Sequence, residues 1–309
     1  MTDFHLNERK MKLSKRLWLY QVERFPLFKT VPLLAVFSAA SITISAVLAD
    51  RAVPGFGAYV TGFCLAFLVF FQMRVADEIK DVEDDRLFRP ERAIPRGIVT
   101  LRLIVTLGVG TLFLAIIIAL LYGAGLIWLL LLVWLWLFLM TLEFGVPRWL
   151  KARPIAYLLS HMAIMPLLDI MLTGIEWLPH GGPHPALWLF IALSFVNGCL
   201  LEIGRKMLAP QSERVGVETY SGLWGPAQVS LIWQGLLALS TVLLIGVGIA
   251  TGDFIAVTIL ALIGAGLAAF VARAYGADPS KTNEKRIDAA AGLWVFFCYA
   301  TAGFVPLIL

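Results

Sequence analysis

The sequence predicts an all-α integral membrane protein: nine transmembrane helices in one bundle, with the N-terminus inside and the C-terminus outside. Three observations carry that prediction. Of 309 residues, 60% are hydrophobic and 15% charged, against about 25% charged in an average soluble domain. Apolar runs recur at lengths close to the roughly 20 residues that cross a bilayer. The basic residues are also segregated into alternate connections, as the positive-inside rule requires.

The elements follow in order. Residues 1–29 read as a cytoplasmic amphipathic segment. Its stretch Arg16–Lys29 mixes Leu17, Trp18, Leu19, Tyr20, Phe25 and Phe28 with basic residues, which suits a helix lying on the inner leaflet. No small-residue cleavage site precedes the first span, so that span reads as retained rather than as a signal peptide. Residues 30–309 read as the membrane domain, with spans near 30–49, 55–75, 103–122, 126–144, 154–174, 186–204, 227–250, 253–275 and 289–309. Pro32, Pro154 and Pro226 lie near span starts, where a missing N–H costs little. With the N-terminus inside, the inner segments hold 24 of the 25 Lys and Arg residues, and Arg51 alone lies outside. Adding or removing one span would scramble this alternation.

Cys64, Cys199 and Cys298 all lie in apolar runs without metal-type spacing, so they read as small buried residues. The long charged inner loops place any chemistry at the cytoplasmic face. The composition points to lipid as the surrounding partner, with no nucleic-acid signal and no required protein partner.

Residues 74–97 read RVADEIKDVEDDRLFRPERAIPRG. At 100° per helical residue, Glu78, Asp81 and Asp85 fall within about 60° of one another. Stacked carboxylates repel unless they share a cation. Mg²⁺ suits them, because it takes oxygen ligands and bridges one or two carboxylates to substrate phosphates. Arg86, Arg89, Arg92 and Arg96 follow at once, and guanidinium suits bidentate phosphate contacts. Acid for metal plus Arg for phosphate is the combination a Mg²⁺–diphosphate site needs. A second junction, residues 202–225, carries Glu202, Arg205, Lys206, Glu213, Arg214, Glu218 and Tyr220 on the same predicted side. Two such junctions could close on one anionic ligand.

With both junctions in view, the chain resembles the UbiA family of intramembrane prenyltransferases. The family's first motif reads Asp-x-x-Asp-x-x-x-Asp, followed by an Arg-Pro turn and a second turn ending in Gly. Glu78, Asp81 and Asp85 fill the acidic places, and Arg89-Pro90 and Ile94-Pro95-Arg96-Gly97 fill the turns. The first acid is Glu rather than Asp. The second motif departs further. Glu202 and Glu213 stand as equivalents, while Lys206 occupies a place where a further acid is usual. Two metal ions, or one with Arg205 and Lys206 supplying positive charge, both remain open.

The resemblance implies Mg²⁺-dependent transfer of a prenyl group from a prenyl diphosphate to a lipophilic or aromatic acceptor such as a quinone precursor. It implies a cytoplasm-facing site in a bacterial-type inner membrane. Glu78, Asp81, Asp85, Glu202 and Glu213 would hold metal. Arg89, Arg92, Arg96, Lys151, Arg205, Lys206 and Arg214 would hold diphosphate. His161, about 10 Å deep at 1.5 Å per residue, and Asn197 are acceptor-pocket candidates, and no catalytic residue is singled out. Two other classes compete. A transporter would place its charges near the midplane, where this chain has few. A CDP-alcohol phosphotransferase would carry an Asp-Gly-x-x-Ala-Arg signature, which is absent.

Overall fold

The computed structural model describes residues 11–308, so the expected N-terminal segment is described only from Met11. Helix α1 (Leu13–Arg24) ends just before Pro26, which cannot continue it. Among the described residues, eight helical segments are long and apolar enough to cross a membrane. A ninth apolar helix, Leu126–Thr141, has only 16 residues. At 1.5 Å per residue it spans about 24 Å, short of the roughly 30 Å hydrocarbon core. It occupies the place of the expected fourth span, which the sequence extends to residue 144. Glu143 and Phe144 end it early by turning left-handed, at φ 50° and 53°.

Three further boundaries differ from expectation. The first span (Leu27–Leu48) takes Pro32 inside its helix rather than at its start. The fifth is two helices, Pro154–Met162 and Ile164–Trp177, broken at Ala163. Pro166 explains the break, because its ring clashes with the carbonyl four residues back. The last span begins at Lys281, well before residue 289, with the Ser280 hydroxyl accepting from the Asn283 N–H at its N-cap. Hydropathy misses this start because the first turns carry Lys281, Glu284, Lys285, Arg286 and Asp288.

Neighbours in sequence pack as neighbours in space, and the last span closes against the first. Gly303 lies so near Ala40 that an added Cβ would sit 2.5 Å from the Ala40 Cα. Small residues permit such close approach between membrane helices. Gly303→Val is expected to cost at least the roughly 1–3 kcal/mol typical of overpacking. Thermal unfolding against a Gly292→Ala control, where the added methyl meets open space, checks this.

Buried polar groups face the interior while large apolar side chains cover the outer surface of the spans, as lipid solvent demands. Leu107, Phe113, Leu121, Ile255, Leu262 and Phe270 are exposed. Asp169 is fully buried and accepts from Ser41 Oγ at 2.5 Å and Tyr299 Oη at 2.6 Å. At the end of the bundle where the first two spans connect, Arg51 grips buried Glu176 through two hydrogen bonds, of 2.6 and 2.9 Å. The opposite end gathers most of the remaining charge.

Candidate active site

The second span, Phe56–Lys80, stops at Asp81, and a short helix, Val82–Phe88, follows. The register expected to align Glu78, Asp81 and Asp85 is therefore bent at its middle member. The outer two acids are buried, at 3% and 2% exposure. Each is neutralised by a fixed cation. Glu78 Oε1 accepts from Arg24 Nε at 2.6 Å, and Tyr20 Oη lies 3.4 Å away. Asp85 is held by Arg92 at 2.6 Å and Arg89 at 3.2 Å, with Arg24 3.9 Å away. The guanidinium of α1 thus stands between two acids of the motif.

Asp81 differs. Its carboxylate makes no direct hydrogen bond or ion pair with a described residue. Its carboxyl is pushed above the ordinary carboxylate range, first by burial and then by the neighbouring Asp77 charge. Asp77 itself is held by Arg74 at 3.2 Å. The turns downstream complete the frame. Glu23 on α1 accepts from the Ala93 N–H at 2.7 Å and lies 3.5 Å from Arg96. Gly97, at φ 81°, supplies the left-handed residue the Pro-Arg-Gly turn requires.

At the second junction Glu202 is buried and closed by Arg205 at 2.5 Å and Lys206 at 3.0 Å. Glu213 accepts from the hydroxyls of Thr219 and Ser221 at 2.7 Å each, which orders the loop. The two junctions meet directly. Arg214 reaches Glu91 at 2.5 Å, and that bond holds the Glu91 carboxyl below its usual range. Gly216, at φ 80°, lies against the Phe88 ring, which fills the space a Cβ would need. Arg205 lies within electrostatic reach of Asp77.

Lys80 joins a further group. Its ammonium donates to Tyr157 Oη at 2.6 Å and sits 3.4 Å from Glu143 Oε1. Tyr157 stacks on His161 with centroids 3.9 Å apart. Both Glu143 oxygens and His161 Nε2 are buried without a hydrogen-bond partner. Each such group typically costs about 1–3 kcal/mol. The left-handed backbone at Glu143 and Phe144 adds about 1–3 kcal/mol per residue.

Of the expected site residues, Glu78, Asp85, Arg89 and Arg92 form one ion-pair network, and Glu202, Arg205 and Lys206 another. Lys151 is exposed and has no direct partner among the described residues. Asn197 lies deeper, accepting from Ser240 at 2.7 Å. Sequence reasoning passed over Arg24, Tyr20, Lys80, Tyr157 and Glu143. Lys80, set between two acids of the motif, was the one visible signal.

Among the described residues, no three acidic, histidine or cysteine side chains converge enough to hold a metal unaided. The first junction still fits one Mg²⁺. Its donors are all oxygen, the Asp81 carboxylate has no direct ion pair, and such ions are usually completed by substrate phosphate. At the second junction both acids, Glu202 and Glu213, are engaged by side chains of the chain itself.

An all-helical membrane bundle carrying an acid–arginine site at one end defines the class. The sequence matches the UbiA prenyltransferase family over residues 24–302, and the chain belongs to that family of membrane prenyltransferases. Its fold resembles the apo structure of a UbiA homolog from Aeropyrum pernix K1, at TM-score 0.66 and 15% identity, over 89% of this chain and 98% of that one. A digeranylgeranylglyceryl phosphate synthase structure matches at TM-score 0.58 and 15% identity, over 96% and 100% of the two chains. Comparison with curated proteins finds no sequence match.

Proposed function

We propose that the chain transfers a prenyl group from a prenyl diphosphate to a lipophilic or aromatic acceptor at the charged, cytoplasm-facing end of the bundle, using one Mg²⁺. The carrying observation is Asp81: a half-buried carboxylate without a direct ion pair, with Lys80 and Arg89 only within electrostatic reach, beside acids that are each ion-paired. Asp81, with Asp77 and Asp85 close by, would hold the ion, and the substrate phosphates would complete its shell. Bound there, a divalent cation supplies charge stabilisation as diphosphate departs.

The chain's own residues do the rest. Arg89 and Arg92 face the same acids and can turn toward phosphate oxygens, with Arg96 behind them. Arg205 and Lys206 supply fixed positive charge from the other junction, in the place a second metal would take. Preorganised charge aimed where negative charge develops is the largest common source of catalysis. An apolar groove of about 400 Å³ between α1 and the second and third spans, lined by Leu17, Trp18, Phe25, Phe71, Ile104 and Leu107, runs up to Tyr20 beside Glu78. It suits a prenyl tail and opens toward lipid.

The test uses the full chain in nanodiscs. Pyrophosphate release from geranylgeranyl diphosphate is expected with Mg²⁺ across a panel of acceptors, and is expected to stop with EDTA. No release with any acceptor refutes the activity. Electron paramagnetic resonance with Mn²⁺ and a prenyl thiolodiphosphate is expected to count one ion per chain. A count of two refutes the single-ion assignment.

A further inference from the structure

We infer that the segment joining the fourth and fifth spans holds one anionic phospholipid, its phosphate gripped by Arg148, Lys151 and Arg153. The surface goes beyond prenyl transfer and lies outside the acid–arginine networks of the two junctions.

The sequence sets its charge. Residues 145–156 read GVPRWLKARPIA, with three basic residues and no acid. Other connections at this end mix their signs. Residues 74–102 carry seven acids, and the last connection sets Asp278, Glu284 and Asp288 beside Lys281, Lys285 and Arg286. In the structure Arg24, Arg74, Arg89, Arg92, Arg205 and Arg214 are each ion-paired. Arg148, Lys151 and Arg153 are exposed and make no ion pair with a described residue. Unneutralised cations beside a bilayer attract the phosphates of anionic lipids.

Local structure fixes these cations. Pro147 and Pro154 each open a helix, Pro147–Lys151 and Pro154–Met162, where their preset φ suits the first turn. Between them Leu150 is buried, at 3% exposure, and fastens the short helix to the bundle. Arg153 Nη1 donates to the Trp149 carbonyl oxygen at 3.2 Å, and its guanidinium lies 4.4 Å from the centre of the Trp149 ring. Its remaining N–H donors are open to phosphate oxygens. The Trp149 ring is half exposed, as suits an aromatic anchor at the headgroup layer. Groups held in place before binding lose less freedom on binding.

Membrane geometry brings a headgroup to this place. The preceding helix, Leu126–Thr141, spans about 24 Å at 1.5 Å per residue, short of the roughly 30 Å core. A bilayer meets a short helix by thinning beside it, which draws the headgroups toward the helix end. Leu142, Val146, Ile155 and Leu159 flank the cations and are exposed. Ile155 and Leu159, four residues apart, share one helix face. They offer acyl chains an apolar wall next to the charged grip. A phospholipid uses both parts, whereas a free anion uses only the charge.

The experiment places the full chain in nanodiscs of dioleoylphosphatidylcholine, alone or mixed equally with dioleoylphosphatidylglycerol. Acetylation of lysine amines is followed by mass spectrometry. The anionic lipid is expected to slow modification of Lys151 at least tenfold, and that of exposed Lys281 less than threefold. Equal slowing of both overturns the inference, since it reports only a charged leaflet. Native mass spectrometry then counts retained lipid. The wild-type chain is expected to keep one phosphatidylglycerol after phosphatidylcholine has been stripped. Arg148→Gln/Lys151→Gln/Arg153→Gln is expected to lose it. Lys281→Gln/Lys285→Gln/Arg286→Gln, which removes the same charge elsewhere, is expected to keep it. Retention by the first variant, or loss by both, overturns the inference. Inorganic pyrophosphate added to the wild type is expected to leave the lipid in place, and lipid release would make the patch a soluble-anion site instead. The lysine comparison uses the wild-type chain alone and decides the question even where a variant fails to fold.

Discussion

Asp81→Asn is expected to lower prenyl transfer by about 10²–10³-fold, the loss typical when one preorganised charge-stabilising group is removed, and to leave stability essentially intact. Both halves follow from its surroundings. Asp81 makes no ion pair or hydrogen bond with a described residue that the amide would forfeit. Its folded-state pKa is raised by burial and by Asp77. For an acid this sign means that the ionised form is penalised on folding, so above the raised value the charge costs stability rather than contributing it. Removing the charge therefore relieves repulsion with Asp77 and weakens affinity for the cation. Pyrophosphate release and thermal unfolding, measured on one preparation, separate the two effects. Unchanged turnover would falsify the role given to Asp81.

The same residue shows what was legible in the chain and what was not. Bilayer-length apolar runs and segregated basic residues follow directly from lipid as solvent, so the helical membrane fold could be read from composition and spacing. The acidic motif could be read as a local pattern. Its internal division could not. Helical periodicity treats Glu78, Asp81 and Asp85 as equivalents, because it assumes an unbroken helix and sees only neighbours in sequence. The structure breaks the helix at Asp81 and gives Glu78 a partner 54 residues away. The stretch bearing that partner carries aromatic and basic residues, the pattern of a surface-lying helix, and nothing local distinguishes a lipid-facing arginine from one that enters a site. Tyr157 and Glu143 were hidden for the same reason: their meaning lies in Lys80, which reaches them from another helix.

Arg24→Met is expected to be the most damaging single change at the charged end, costing about 3–5 kcal/mol, the usual result of stripping one partner from a buried ion pair. Arg24 is 9% exposed and Glu78 3%, so water cannot replace the lost guanidinium. The remaining Tyr20 hydroxyl stands at 3.4 Å, beyond a strong hydrogen bond. Asp85 is affected less, because Arg89 and Arg92 still hold it. Glu78→Gln added to Arg24→Met is expected to restore most of the stability, since a well-packed neutral pair often matches a buried ionic one. Prenyl transfer distinguishes two roles for the pair. If Arg24 serves only to fix α1 and the motif, the double variant recovers activity together with stability. If its guanidinium also supplies charge to the site, stability returns without activity, and the one-metal site then depends on a cation brought by the helix that hydropathy reads as an anchor.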